Sequence, residues 1–261
     1  MVEPIVPSRV LVVVAHPDDV DFGAAATVAG LVDDGAAVAY VVVTDGQRGG
    51  FDPSVPRERI GPTRREEQRA AARTVGVEDV TFLGFEDGTV VPGPSLHREV
   101  VRHVRRWRPD VVIAPSPERD WDRLAGAGHP DHLAVGEAVA RALYPDVGNP
   151  FALPDLAAEG FAPHEVTQVW FIGAPRGRLG TDHVVDVTDR LERKLAAIAC
   201  HASQLPDPEG VLARVRDWTA ANARAAGLPE GRHAERFNVV AVVPPPEPDP
   251  PPAAPLRERA T

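Results

Sequence analysis

The chain has 261 residues, enough for one α/β domain with a substantial core. Its apolar fraction of 43% is ordinary for a soluble globular protein, and no stretch approaches the roughly 20 apolar residues that span a bilayer. A net charge of −10 argues against nucleic acid as a partner, and a single cysteine, Cys200, excludes an intramolecular disulfide. Residues 1–8 lack the basic segment and apolar core of a signal peptide, so the sequence reads as cytoplasmic.

Residues 10–15, VLVVVA, form a β-branched run, the pattern of a strand buried on both faces. A small-residue helix over 24–34 follows and closes at Gly35. Residues 36–43 make a second buried strand. Residues 44–62, rich in Gly, Pro and Asp, read as loop. The next helix covers 63–75, with Thr63 as N-cap, Glu66 three residues on as in a capping box, and Gly76 as its stop. The grammar repeats with a short strand at 80–83, a helix over 95–107, a strand at 109–114, a loop over 115–128 and a helix over 131–143. Beyond it, 144–163 reads as a long loop, 166–172 and 183–187 as strands, 188–203 and 211–226 as helices, and 237–243 as a last strand. Cys200, within AAIACHA, reads as a small buried core residue.

Strand and helix in alternation imply a mostly parallel sheet covered on both faces, a Rossmann-like three-layer αβα sandwich in the α/β class. Residues 1–243 make one domain. The Pro-rich stretch 244–261, opening PPPEPDPPPAAP, cannot pack a core and reads as a disordered tail. In such sheets ligands sit beyond the carboxyl ends of the strands. No G-x-G-x-x-G follows the first strand, so a dinucleotide site is not indicated.

That rim carries the chemistry. His16-Pro17-Asp18-Asp19 follows the first strand, and Gly128-His129-Pro130-Asp131-His132 ends the loop after the strand at 109–114. A catalytic zinc takes about three protein ligands and keeps a position for water. His16 and Asp19, three apart, share a face if the chain turns helical there, and His129 or His132 completes a His-Asp-His set. Asp18 then points elsewhere and is free to act on the bound water. Each motif alone is also a plausible helix start, with Asp as cap or Pro130 at the first helical position. Their joint occurrence on one rim favours a metal site, which suits zinc or iron(II).

Ala15-His16-Pro17-Asp18-Asp19 with His129-Pro130-Asp131-His132 resembles the LmbE/PIG-L family of zinc-dependent de-N-acetylases, and the resemblance extends over nearly the whole chain. Thr44-Asp45-Gly46 is similar to the family's T-x-G loop, and Arg64 with Glu67 to its R-x-x-E helix. Leu83-Gly84-Phe85-Glu86-Asp87-Gly88 resembles its LG-aromatic-x-D-G loop. Lys194 with His201-Ala202-Ser203-Gln204, and Ala234-Glu235-Arg236-Phe237, are similar to its C-terminal signatures. The resemblance implies His16, Asp19 and His132 as metal ligands for Zn2+ or Fe2+, with Asp18 as general base. It implies that His129 stabilises the oxyanion or protonates the leaving amine, that Arg64 grips the substrate and that Asp87 lines the sugar pocket. It further implies removal of an N-acetyl group from an N-acetylglucosamine-type small molecule, and a homo-oligomer.

The sequence departs from the pattern where Val20 and Asp21 replace the family's usual Glu, which points Asp21 to a helix-start or supporting function. His201 is a candidate to approach the pocket. His97, His103, His164, His183 and His233 lack metal-like spacing and read as surface or loop residues. Two other readings stand beside deacetylation. One is a zinc amidase acting on a thiol conjugate or another amide. The other is a non-catalytic metal-binding homologue, disfavoured because His16, Asp18, Asp19, His129 and His132 are all present.

Overall fold

The computed structural model describes residues 2–121, 124–175 and 179–243; the Pro-rich segment from 244 onward lies outside them. Seven strands form one sheet: β1 (Arg9–Val14), β2 (Ala37–Thr44), β3 (Asp79–Phe85), β4 (Val111–Pro115), β5 (Gln168–Ile172), β6 (Thr181–Asp186) and β7 (Ala234–Ala241). Their order is β3-β2-β1-β4-β5-β7-β6. The first five run parallel, while β7 pairs antiparallel with both β5 and β6.

Strand alternation decides which face each residue feeds. Val10, Val12 and Val14 of β1 pack with α1 (Asp19–Asp33) and with α2 (Arg57–Thr74). Leu11, Val13 and Ala15 pack on the opposite face with α3 (Pro94–Trp107) and α4 (Pro130–Arg141). A strand covered on both sides must be apolar throughout, which is why these runs do not alternate. After the short α5 (Pro154–Ala158), α6 (Leu191–Ala199) and α7 (Pro208–Ala225) join through a smaller cluster that includes Leu191, Leu195, Ile198 and Val215. The three-layer expectation holds.

The long loop expected over 44–62 is shorter than the sequence suggests. Helix α2 begins at Arg57, six residues before Thr63, so Thr63 is not its cap and Pro62 lies inside it. Proline at that position removes only the bond to the carbonyl of Glu58, which lies on an exposed first turn. The long loop at 144–163 likewise contains α5. Cys200 is half-buried rather than a core residue, with Sγ 3.9 Å from Thr74 Oγ1.

A buried ion pair braces α1. Lys194 Nζ donates to Glu235 Oε1 at 2.6 Å and to the carbonyls of Asp21 and Phe22. Glu235 in turn accepts from the backbone N–H groups of Ala26 and Thr27. The pair therefore supplies partners to α1 on both sides of Gly23.

Candidate metal and active site

Strand order reverses between β1 and β4: from β1 the chain travels outward through β2 and β3, then crosses back to β4 on the other side. Such a switch point opens a crevice at the carboxyl ends of the two strands. Residues 16–19 leave β1 there, and residues 129–132 arrive on the loop after β4.

The backbone between β1 and α1 turns sharply. Asp18 adopts φ 94°, the left-handed region that non-glycine residues rarely occupy. Its N–H is caught by Gln68 Oε1 at 2.8 Å, and Arg64 Nη2 donates both to the Pro17 carbonyl and, at 3.1 Å, to Asp18 Oδ2. Asp19 folds back, its Oδ2 accepting from the N–H groups of Ala15 and His16. The helix start thus sends two adjacent carboxylates in different directions, as their sequence spacing suggests.

His16, Asp19 and His132 converge. His16 Nδ1 lies 3.1 Å from His132 Nε2 and 3.5 Å from Asp19 Oδ2, and His132 Nε2 lies 3.0 Å from Asp19 Oδ1. A zinc-sized ion with bonds near 2.0–2.1 Å has ligand-to-ligand edges of about 2.9–3.4 Å. Two of the three separations fall within that range and the third, 3.5 Å, lies just beyond it, and the donors are the imidazole and carboxylate groups such an ion takes, so these residues fit a metal. Electrostatics agrees. Burial pushes the His16 imidazolium down, but the Asp19 charge and hydrogen bonds to Asp131, Asp19 and Asp87 outweigh it and push its pKa up to about 12. Burial likewise opposes charge on His132, yet Asp19 raises its pKa; the same two histidines hold Asp19 well below the usual carboxylate range against its own burial. The pocket demands positive charge between these side chains.

A second acidic set, His16 with Asp87 and Asp131, sits on the other edge of the same imidazole. Its carboxylates already have partners. Asp131 is fully buried and accepts from Gly88 N, Val90 N and His16 Nε2, the last at 3.2 Å. Asp87 accepts from Arg48 N and lies 3.3 Å from His16 Nε2. These carboxylates hold the Nε2 proton and leave Nδ1 for the ion, the usual division between ligand and orienting group. The Asp19 and His132 side instead faces a cavity of about 710 Å3, also lined by Phe22, Gly128, Ile172 and Trp218.

His129 stands over the cluster, its ring centroid 4.8 Å from that of His16 and 5.4 Å from that of His132. Its Nδ1 accepts from the N–H of Asp131, capping α4. The ring proton is therefore on Nε2. Burial, then the positive charges of His16 and His132, lower its pKa.

Arg64 and Asp87 occupy other places than the cavity wall. Arg64 is buried and donates to Gly46 O, Pro17 O and Asp18 Oδ2, beneath the loop after β2. Gly46 makes room for it: a Cβ there would stand 2.3 Å from Arg64 Nη1, and its φ is 63°. His201 does not line the cavity either. It is fully buried and meets Asp21 Oδ2 at 2.8 Å, which also accepts from Gln68 Nε2 at 2.9 Å. Asp21 thus supports the segment from within, through the same Gln68 that holds Asp18. None of His97, His103, His164, His183 or His233 joins a metal-capable group among the described residues. Sequence reasoning assigned no role to Asp131 or Gln68, although Asp131 lies inside the motif that revealed its neighbours.

A doubly covered α/β sheet with a His/Asp cluster at its switch point defines a candidate metal-binding site of an α/β protein. Residues 11–143 match the family model described as PIG-L: GlcNAc-PI de-N-acetylase. The chain is 34% identical over 203 residues to a diacetylchitobiose deacetylase of Thermococcus kodakarensis, covering 76% of this chain and 71% of that one. It is 31% identical to a 1D-myo-inositol 2-acetamido-2-deoxy-alpha-D-glucopyranoside deacetylase of Nakamurella multipartita, covering 92% of each. The structure superposes on the N,N'-diacetylchitobiose deacetylase of Pyrococcus horikoshii with a TM-score of 0.80 at 27% identity, covering 90% of this chain and 85% of that one. The chain belongs to the PIG-L family of de-N-acetylases, hydrolases of N-acetyl amides.

Proposed function

We propose that the protein removes the acetyl group from an N-acetylglucosamine-type small molecule or glycoconjugate, with His16, Asp19 and His132 holding a catalytic zinc. The relatives named deacetylases of diacetylchitobiose and of a 2-acetamido-2-deoxyglucoside support the substrate class. The observation that carries the reading is the convergence of His16 Nδ1, His132 Nε2 and Asp19 at 3.0–3.5 Å, open to a cavity of sugar-conjugate size. When bound, the ion supplies Lewis acidity at the acetyl carbonyl and lowers the pKa of the attacking water from about 16 toward about 7. Iron(II) suits the same donors.

The chain's own groups then divide the proton work. Asp18 is the general base. Burial pushes its carboxyl up, Arg64 pulls it back, and it stands at about 6, ionised at neutral pH and matched to proton transfer. Arg64 occupies Oδ2, which leaves Oδ1 to take the proton from water. His129, neutral with its proton on Nε2, donates a hydrogen bond to the developing oxyanion; such a donor is worth about 10²–10³ in rate. Asp18 then returns its proton to the departing amine, giving acetate and a free amino sugar. Arg64 and Asp87 act at one remove, Arg64 by fixing Asp18 and Asp87 by helping Asp131 orient His16.

Zinc titrated into the metal-free protein by calorimetry should bind one-to-one in the parent and in Asp18→Asn, and fail to bind in Asp19→Ala and His132→Ala. Undiminished binding in the last two would overturn the ligand assignment.

A further inference from the structure

Asp18 occupies the N-cap position of α1. An aspartate there ordinarily adopts extended backbone and turns its carboxylate onto the N–H groups of the first turn. Asp18 does neither. Its backbone is left-handed, φ 94° and ψ −25°, and its side chain makes no capping bond. The carboxylate instead meets Arg64 through Oδ2. Left-handed backbone is sparsely populated in a residue with a Cβ and persists only where the surroundings fix it. Two arrangements of residue 18 therefore compete: one caps α1, and the other withholds the carboxylate from the helix.

The groups that decide between them come from one face of α2, where Arg64 and Gln68 stand four residues apart. Arg64 Nη2 donates to the Pro17 carbonyl at 2.6 Å, and Gln68 Oε1 accepts from the Asp18 N–H at 2.8 Å. That carbonyl and that N–H belong to a single peptide unit. Held at both polar ends, its plane cannot rotate, and the left-handed φ of Asp18 is set. Gln68 is itself held. Its Nε2 donates to Asp21 Oδ2 at 2.9 Å, and the same oxygen meets His201 Nε2 at 2.8 Å. Gln68, Asp21 and His201 are all fully buried. The two partners fix which end of the amide is which, since an N–H needs an acceptor and a carboxylate needs a donor. Glutamate at 68 would set a second carboxylate against Asp21. A hydrocarbon side chain would leave both buried partners unmatched.

We propose that Gln68 is a positioning residue of the reaction centre: with Arg64 it grips both ends of the Pro17–Asp18 peptide, and so keeps the Asp18 carboxylate from capping α1 and aims it for proton transfer. The inference rests on the deacetylase reading with Asp18 as its base. Without the amide the Asp18 N–H is released, and the carboxylate falls back onto the first turn of α1.

The test is a double-substitution cycle in the zinc-loaded protein. It is read as kcat and KM for acetate release from whichever of free N-acetylglucosamine and N,N'-diacetylchitobiose the parent turns over faster, with zinc occupancy measured by calorimetry. Gln68→Met removes both hydrogen bonds. It should lower kcat about 10²-fold, the cost of an ångström-scale misplacement, and leave KM and zinc affinity close to those of the parent. In the Asp18→Asn background the same substitution should cost little further, because no base remains to be aimed. Gln68→Glu alone should be as slow as Gln68→Met. Combined with Asp21→Asn it should recover most of the rate, since the reversed pair restores both bonds: the new carboxylate accepts from the Asp18 N–H and from the new amide. A residue that served packing alone would lower kcat by the same factor in both backgrounds, or in neither, and would gain nothing from the reversed pair. Any of these results would overturn the assignment while leaving deacetylation intact. Acetate from neither compound with the parent would instead overturn the deacetylase reading, and this assignment with it.

Discussion

Replacing Arg64 by Met should move the acid limb of the kcat/KM profile to higher pH. Arg64 Nη2 stands 3.1 Å from Asp18 Oδ2, with side chains only 5% and 20% exposed, so the pair is poorly screened. Burial holds the Asp18 carboxyl at about 6 even with the guanidinium in place. An adjacent arginine lowers a carboxyl pKa by about 1–3. Its removal therefore places Asp18 at roughly 7–9 by the same range. The carboxylate must be ionised to act as a base, so activity would rise at higher pH in the variant than in the parent. A bound cation lowers Asp18 in both proteins, so the difference between their profiles carries the prediction. The assay is initial acetate release from pH 5 to 10 at saturating zinc, with Arg64→Lys as the charge-conserving control. Lysine should keep the limb near its original position while losing rate, because it cannot reach Gly46 O, Pro17 O and Asp18 together. A lower plateau with an unmoved limb in Arg64→Met would show that Arg64 merely braces the loops.

Three further predictions follow from contacts away from the reacting atoms. Asp131→Asn removes the carboxylate that orients His16 and should weaken zinc binding about 10–100-fold, measured by competition with a chelator. Lys194→Met leaves Glu235 buried without its cation and should cost ~3–5 kcal/mol in urea unfolding; a loss below ~1 kcal/mol would show that the backbone N–H groups of Ala26 and Thr27 suffice to hold that carboxylate. Gly136→Ala would bring a Cβ to 2.4 Å from the Pro115 carbonyl, backbone that cannot turn aside. It should cost ~1–3 kcal/mol, lower Tm by ~2–4 °C per kcal/mol, and weaken zinc binding by displacing His132 one turn earlier on α4.

Much of this site was legible because two kinds of signal coincide. Apolar runs such as VLVVVA mark strands buried on both faces, and in a parallel sheet every such strand delivers its following residues to one rim. The residues after β1 and β4 had to meet, and His16, Asp19 and His132 do. What the sequence hid depends on direction and on long-range contact. Arg64 stands on the helix face expected of a site residue, yet its guanidinium turns beneath Gly46 toward Asp18. Asp21 looks like a shortened Glu until His201, 180 positions away, is seen to meet it together with Gln68. Treating Pro62 as a breaker cost α2 its first six residues, since proline within an exposed opening turn forfeits little. Trp218 carries no motif; only the packing of α7 beside α1 and α6 sets it on the cavity wall.

The central claim, that the His16-Asp19-His132 cluster and Asp18 together hydrolyse an N-acetyl amide, is tested most directly by product analysis. Purified protein loaded with one zinc per chain would be incubated with N-acetylglucosamine conjugates, and acetate and free amine quantified side by side with Asp18→Asn. The account predicts equimolar acetate and amine from the parent, with turnover in the variant reduced by at least the ~10² typical of a positioned general base. Equal turnover by the variant, or a zinc-loaded parent that releases neither product from any conjugate, would contradict it.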